Sequence, residues 1–173
     1  MSTRPGMAIG SNEFPVVGDM LTIGAQAPDF KLTANNWSAK SLSDYTGKVK
    51  ILSIVPSLDT SVCSAQTHRF NQEASSFGQN IVVLTVSADL PYAQSRWCGA
   101  EGVERVETLS DHLDMNFSNA YGVHVKDLRI CQRAAFVVDQ NNVVQYAEYV
   151  PDIDAEINFA SVLSKAQSLI VST

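Results

Sequence analysis

The chain has 173 residues, a formal charge of −6, 45% apolar and 17% charged residues, which fits one globular domain over residues 1–173 and excludes a disordered chain. The acidic balance argues against a nucleic-acid binder, and no apolar run nears the ~18 residues that cross a bilayer. Residues 1–10 lack a secretory leader's apolar centre, and three cysteines with three scattered histidines show neither a disulfide scaffold nor zinc spacing, so a soluble cytoplasmic protein without metal is expected.

In chain order, Met7–Ile9 and Phe14–Val17 flank a Gly10-Ser-Asn turn and read as a small hairpin, an extension over residues 1–22. Pro15 suits an edge strand, where a missing N–H costs little. Asp29–Thr33 reads as a short strand and Ser41–Tyr45 as a helical turn. Val49–Val55, bounded by Gly47 and Pro56, is an apolar run expected of a buried strand. A helix is predicted over 60–77, with Val62, Ala65, Phe70, Ala74 and Phe77 as its apolar stripe. Asn80–Ser87 is the clearest strand. Tyr92–Cys98 reads as a short helix ended by Gly99 and Gly102, Val106–Leu109 as a strand and Phe117–Tyr121 as a short helix. Arg133–Asp139 and Val143–Val150 form a hairpin around Gln140-Asn-Asn, and a terminal helix covers 155–171. The order βαβα then ββα predicts an α/β fold with a central mixed sheet flanked by helices, plus the N-terminal β-hairpin.

Pro56-Ser-Leu-Asp-Thr60-Ser-Val-Cys63 lies between a buried strand and a helix, and α/β sheets bind ligands at such strand ends. Asp59, Thr60 or Ser61 serves as N-cap, which puts Cys63 in the first helical turn. Orphan N–H groups and the helix dipole stabilise an anion there, and the thiolate is the reactive form of cysteine. The alternative is a small inert helix residue. A cysteine hydrolase needs a histidine beside the sulfur, but His68 is five residues on, about 140° around the helix. His112 and His124 have no assigned place. A thioredoxin-type dithiol needs Cys-x-x-Cys, and the position in question is Gln66.

Pro56-x-x-x-Thr60-x-x-Cys63 resembles the peroxiredoxin active-site pattern, and Gly24-Ala-Gln-Ala-Pro28-Asp29-Phe30 resembles that family's opening segment. Ser87-Ala-Asp-Leu-Pro-Tyr-Ala-Gln-Ser-Arg-Trp-Cys98-Gly-Ala-Glu-Gly102 resembles the thiol peroxidase branch, the atypical two-cysteine peroxiredoxins of bacteria. The resemblance implies a thioredoxin-like fold and a thiol peroxidase that reduces alkyl hydroperoxides and hydrogen peroxide without cofactor. It implies that Cys63 is the peroxidatic cysteine and Cys98, 35 residues further on, the resolving one. Arg133 then supplies positive charge, Thr60 holds peroxide oxygens and Pro56 shields the thiolate. Thioredoxin as electron donor and a homodimer are also implied. Because a disulfide needs Cα atoms within roughly 7 Å, the Cys63 and Cys98 segments are expected to unwind partly during turnover.

Without the resemblance, Cys98 reads as a buried helix cysteine beside Trp97, and Arg133 as a solvated strand-edge residue. Cys131 departs from the family pattern. At i, i+2 it shares Arg133's face if the strand begins that early, as a small buried thiol or a rival partner for a sulfenic acid. A non-enzymatic redox sensor on the same fold is the alternative function.

Overall fold

The computed structural model describes residues 1–171. Its regular elements begin with β1 (Thr3–Ile9), β2 (Asn12–Val17), β3 (Leu32–Ala34), β4 (Ala39–Lys40), β5 (Val49–Ile54), α1 (Ser61–Glu73) and β6 (Ile81–Ser87). They continue with α2 (Pro91–Glu101), β7 (Glu107–Ser110), α3 (Asn116–Ala120), β8 (His124–Val125), β9 (Ile130–Cys131), β10 (Ala134–Val138), β11 (Val144–Tyr149) and α4 (Phe159–Val171).

The central sheet has the order β11-β10-β5-β6-β7-β3-β4. β5, β6 and β7 run parallel, joined by α1 and α2, whereas β10 lies antiparallel to β5 and pairs with β11. This is the mixed α/β sheet expected from the element order. β5 is buried at every position because both faces are covered, so its sequence is continuously apolar rather than alternating. Leu52, Ile54, Leu84, Val86 and Phe136 point to a core shared with Phe117 of α3. Their neighbours Val49, Ile51, Val83, Ala135 and Val137 point to a second core with Phe70 of α1, Trp97 of α2 and Val162 of α4. The buried polar exceptions in β5 are Ser53 and, at its foot, Lys50, whose Nζ donates to Asn142 Oδ1 (2.6 Å) and the Asp139 carbonyl (3.2 Å).

Several boundaries differ from expectation. The helix predicted over 60–77 stops at Glu73 and tightens into a 3₁₀ turn at Ala74–Ser76. α2 starts at Pro91, where a missing N–H costs nothing. It runs through Gly99 to Glu101 and ends at Gly102, whose φ of +66° suits glycine. α4 starts at Phe159, not at 155, because Asn158 Oδ1 accepts the Ser161 N–H (3.0 Å) and so caps it there.

The largest departure is a second sheet, β1-β2-β8-β9. The N-terminal hairpin is thereby tied to the middle of the chain through β8 and β9. These two-residue strands are too short to leave a periodic signal. β9 ends at Cys131 and β10 begins at Ala134, so Gln132 and Arg133 link the two sheets. Arg133 does not open the first hairpin strand. No helix among the described residues is long and apolar enough to cross a membrane.

Candidate active site

The site begins where β5 ends. Pro56 is buried, and the loop after it is held by a carboxylate from the next strand end. Asp89 accepts from Ser57 Oγ (2.8 Å), the Leu58 N–H (2.9 Å) and Ser87 Oγ (2.7 Å). Thr60 is the N-cap: its Oγ1 accepts the Cys63 N–H (3.4 Å) and donates to the Ser57 carbonyl (3.2 Å). Cys63 is therefore the third residue of α1, in the turn whose N–H groups favour negative charge.

Cys63 is 0% exposed, and its sulfur faces a buried cation. Arg133 Nη2 donates to Cys63 Sγ (3.4 Å) and to the Ile153 carbonyl (2.9 Å), while Nη1 donates to Gln66 Oε1 (3.0 Å). Gln66 in turn donates from Nε2 to Ser53 Oγ on β5 (2.8 Å). Arg133 is 1% exposed and, among the described residues, has no carboxylate at ion-pair distance. Its partners are two neutral oxygens and one ionisable sulfur. Such an unneutralised guanidinium stabilises negative charge on the sulfur and on an oxygen leaving it. A recess of about 100 Å³, lined by Val62, Ala65, Gln66, Arg69, Glu156 and Phe159, lies alongside.

Thr60, Cys63 and Arg133 thus converge, with Pro56 buried at the strand end ahead of them, whereas Cys98 stands apart. It lies in the last turn of α2, where its carbonyl accepts from Gly102 and Val103 (3.0 Å for the latter). Its half-buried sulfur contacts Thr108 Oγ1 on β7 at 3.5 Å and borders a cleft of about 460 Å³. β7 and β10 are three strand spacings apart, about 14 Å. The contacts of the two sulfurs are therefore on opposite sides of the β5–β6 pair, and both thiols are free.

Cys131 does not share Arg133's face. Its sulfur is 3.1 Å from Ser118 Oγ, within the core on the other side of the sheet. The i, i+2 rule fails because the chain passes between sheets here, and alternation holds only along one strand. Burial, then the charge of Asp111, pushes the Cys131 thiol up to about 12. His68 turns away from Cys63, as its helical spacing requires, to Glu101 (3.0 Å) and the Trp97 ring.

Three contributors escaped the sequence reading. Gln66 had a local signal, since i+3 on a helix shares a face with Cys63. Ser53 acts through a strand-to-helix contact and Asp89 through the loop after β5, which no local pattern reveals.

A mixed sheet carrying an arginine-paired cysteine at a helix N-terminus defines a thiol-based redox protein. Comparison with known proteins narrows this. The Redoxin family matches residues 22–163. The chain is 50% identical over 155 residues to a thiol peroxidase of Bacillus subtilis (strain 168), covering 90% of this chain and 92% of that one. It is 46% identical over 158 residues to a thiol peroxidase of Streptococcus pneumoniae, covering 91% and 96%. Among solved structures, a peroxiredoxin-like protein from Aquifex aeolicus superposes with a TM-score of 0.88 at 30% identity, over 96% of this chain and 98% of that one. A thiol peroxidase from Chromobacterium violaceum shares the fold, with a TM-score of 0.85 at 20% identity over 97% and 98%. The chain belongs to the Redoxin family and, within it, to the thiol peroxidase branch of the peroxiredoxins.

Proposed function

We propose a two-cysteine cycle for this thiol-dependent peroxidase. The Cys63 thiolate attacks the distal oxygen of a hydroperoxide. The O–O bond breaks, sulfur becomes the sulfenic acid, and the departing alkoxide or hydroxide takes a proton to leave as alcohol or water. The Cys98 thiol then attacks the Cys63 sulfur. A disulfide forms, and the hydroxyl leaves with the thiol proton as water. A dithiol protein of the thioredoxin type returns both thiols by exchange.

The observation that carries this reading is the Arg133–Cys63 contact at the head of α1, with no carboxylate at ion-pair distance among the described residues. In it Arg133 stabilises charge on sulfur and leaving oxygen. Thr60 exchanges its bond to the Ser57 carbonyl for one to the peroxide, and buried Pro56 keeps water from the sulfur. Cys63 is fully buried, and its contacts lie far across the sheet from those of Cys98. Peroxide entry therefore requires the first turn of α1 to open, and disulfide formation requires the last turn of α2 to open as well. Gly99 inside that last turn lowers its helical stability by about 1 kcal/mol relative to alanine. Hydroperoxide as substrate and a thiol donor of the thioredoxin type are supported by the thiol peroxidase relatives; a homodimer and a cytoplasmic location complete the proposed reading.

The test is consumption of cumene hydroperoxide and hydrogen peroxide with thioredoxin, its reductase and NADPH in excess. Repeated turnover that is lost in Cys63→Ser and in Cys98→Ser is expected. A single stoichiometric oxidation without turnover favours the redox sensor instead.

A further inference from the structure

Arg133 is buried, and the sulfur is only one of its attachments. The others lead away from the central sheet. The carbonyl that accepts from its Nη2 belongs to Ile153, in the segment between β11 and α4. That segment is bridged to the N-terminal hairpin: the Ala8 N–H donates to the Pro151 carbonyl (2.6 Å), and the Ile153 N–H donates to the Ala8 carbonyl (3.0 Å). The residue before Arg133 is attached to the same hairpin. Gln132 Nε2 donates to the Gly6 carbonyl and to the Val150 carbonyl (3.1 Å), while its Oε1 accepts from Arg4 Nη2 (2.8 Å). The β1–β2 register shifts between Pro5 and Met7, which leaves Gly6 out of the ladder. A bulged residue has a backbone group to spare, and here it serves Gln132. No side chain fits at Gly6, since an added Cβ would come within 2.6 Å of both Arg4 and Val16. Gln132 is 1% exposed.

The guanidinium is thus held at one end by a carbonyl that β1 fixes, and its backbone is held at the other by a glutamine that β1 fixes. From this we propose that the N-terminal hairpin is a positioning element of the peroxidatic site, acting through Arg4, Gly6, Ala8 and Gln132 on Arg133. The proposal rests on the reading above that Arg133 activates Cys63. The hairpin touches neither the sulfur nor substrate in this scheme. It keeps the buried cation at the place the sulfur occupies when the first turn of α1 is closed, so that each closure returns Cys63 to it. A flexible arginine held only by Gln66 would follow α1, because Gln66 lies on that helix.

The experiment uses the full chain in a Cys98→Ser background, where the first oxidation is isolated. Rates of Cys63 oxidation by hydrogen peroxide and the ultraviolet absorbance of its thiolate are measured at one pH, beside thermal melts. Gln132→Leu is expected to slow oxidation about tenfold, less than the ~100-fold that a full 1 Å misplacement can cost. Arg4→Met, at a half-exposed position that keeps the side chain's stem, is expected to slow it a few-fold and to lower the thiolate absorbance. Arg4→Lys restores both, because one ammonium still reaches Gln132. In an Arg133→Met background, Arg4→Met is expected to have no further effect on rate, whereas a merely structural role lowers the melting temperature and leaves the rates independent. Unchanged oxidation in Arg4→Met and Gln132→Leu, with Arg133→Met slow, overturns the hairpin's role alone. Unchanged oxidation in Arg133→Met overturns the reading beneath it.

Discussion

Cys63 and Cys131 are both wholly buried, and they occupy opposite cores of one sheet. Each has a polar side chain against its sulfur. For Cys63 the neighbour is Arg133, a cation bonded, among the described residues, to two neutral oxygens and the sulfur itself. For Cys131 it is Ser118, whose hydroxyl donates to Asp111 Oδ2 at 2.6 Å, so the thiol meets a hydroxyl backed by a carboxylate. Asp111 also accepts the Phe117 and Ser118 N–H groups and so closes the start of α3. Burial is common to the two thiols, and the sign of the nearest charge is not. One environment supports an anion, and the other holds a thiol pushed up to about 12. The Cys63 side is built for rate and the Cys131 side for stability.

The sharpest contrast comes from removing the sulfurs. Cys63→Ser is expected to abolish peroxide reduction altogether, read as NADPH consumption in the coupled assay. Arg133→Met is next: losing the guanidinium beside the sulfur should slow the first oxidation about 100-fold in stopped-flow measurements, the scale of a deleted oxyanion donor. Cys98→Ser should consume one equivalent of peroxide at normal speed and then stop, with mass spectrometry showing Cys63 oxidised and no intramolecular disulfide. Cys131→Ala should leave the oxidation rate within about twofold and lower unfolding stability by about 1 kcal/mol, measured in urea. A large loss of rate there would erase the contrast.

The smallest effect is a pH dependence on the Cys131 side. His124 pairs with Cys131 across β8 and β9, and burial, then the charges of Arg129 and Lys126, hold its imidazole below the usual histidine range. The unfolded chain takes up that proton near pH ~6.5, and the folded chain only at lower pH. The His124 contribution is thus present above pH ~6.5 and falls as acid is added through that interval. Melting temperatures should drop between pH 7 and pH 5.5 by a few degrees, and less in His124→Gln.

How much of this was legible depended on distance along the chain. Pro56, Thr60 and Cys63 sit within eight residues, and a strand end followed by a helix cap fixes their relation locally. Gln66 belongs to the same local logic, three residues from Cys63 on one helix face, but a glutamine there carries no chemical signal of its own. Arg133 lies 70 residues from Cys63, and only family resemblance named it; the residues alone favoured a solvated strand edge. Cys131 is the small buried thiol its sequence suggests, and it would share Arg133's face only if one strand ran through both, which the passage between two sheets prevents. The central strands were clear because burial on both faces leaves long apolar runs. β8 and β9 left two residues each, and their pairing with the hairpin is a long-range fact. Gly99 was read as a stop, but only Gly102 has the left-handed backbone that ends a helix.

The most direct test oxidises the reduced Cys98→Ser protein with one equivalent of hydrogen peroxide beside a sulfenic-acid trapping reagent. Label at Cys63 and Cys131 is then measured by peptide mass spectrometry. The expected result is label on Cys63 alone, lost in Arg133→Met on the same time scale. Label on Cys131, or label on Cys63 that is indifferent to Arg133, would contradict the claim that the neighbouring charge, and not burial, selects the reactive sulfur.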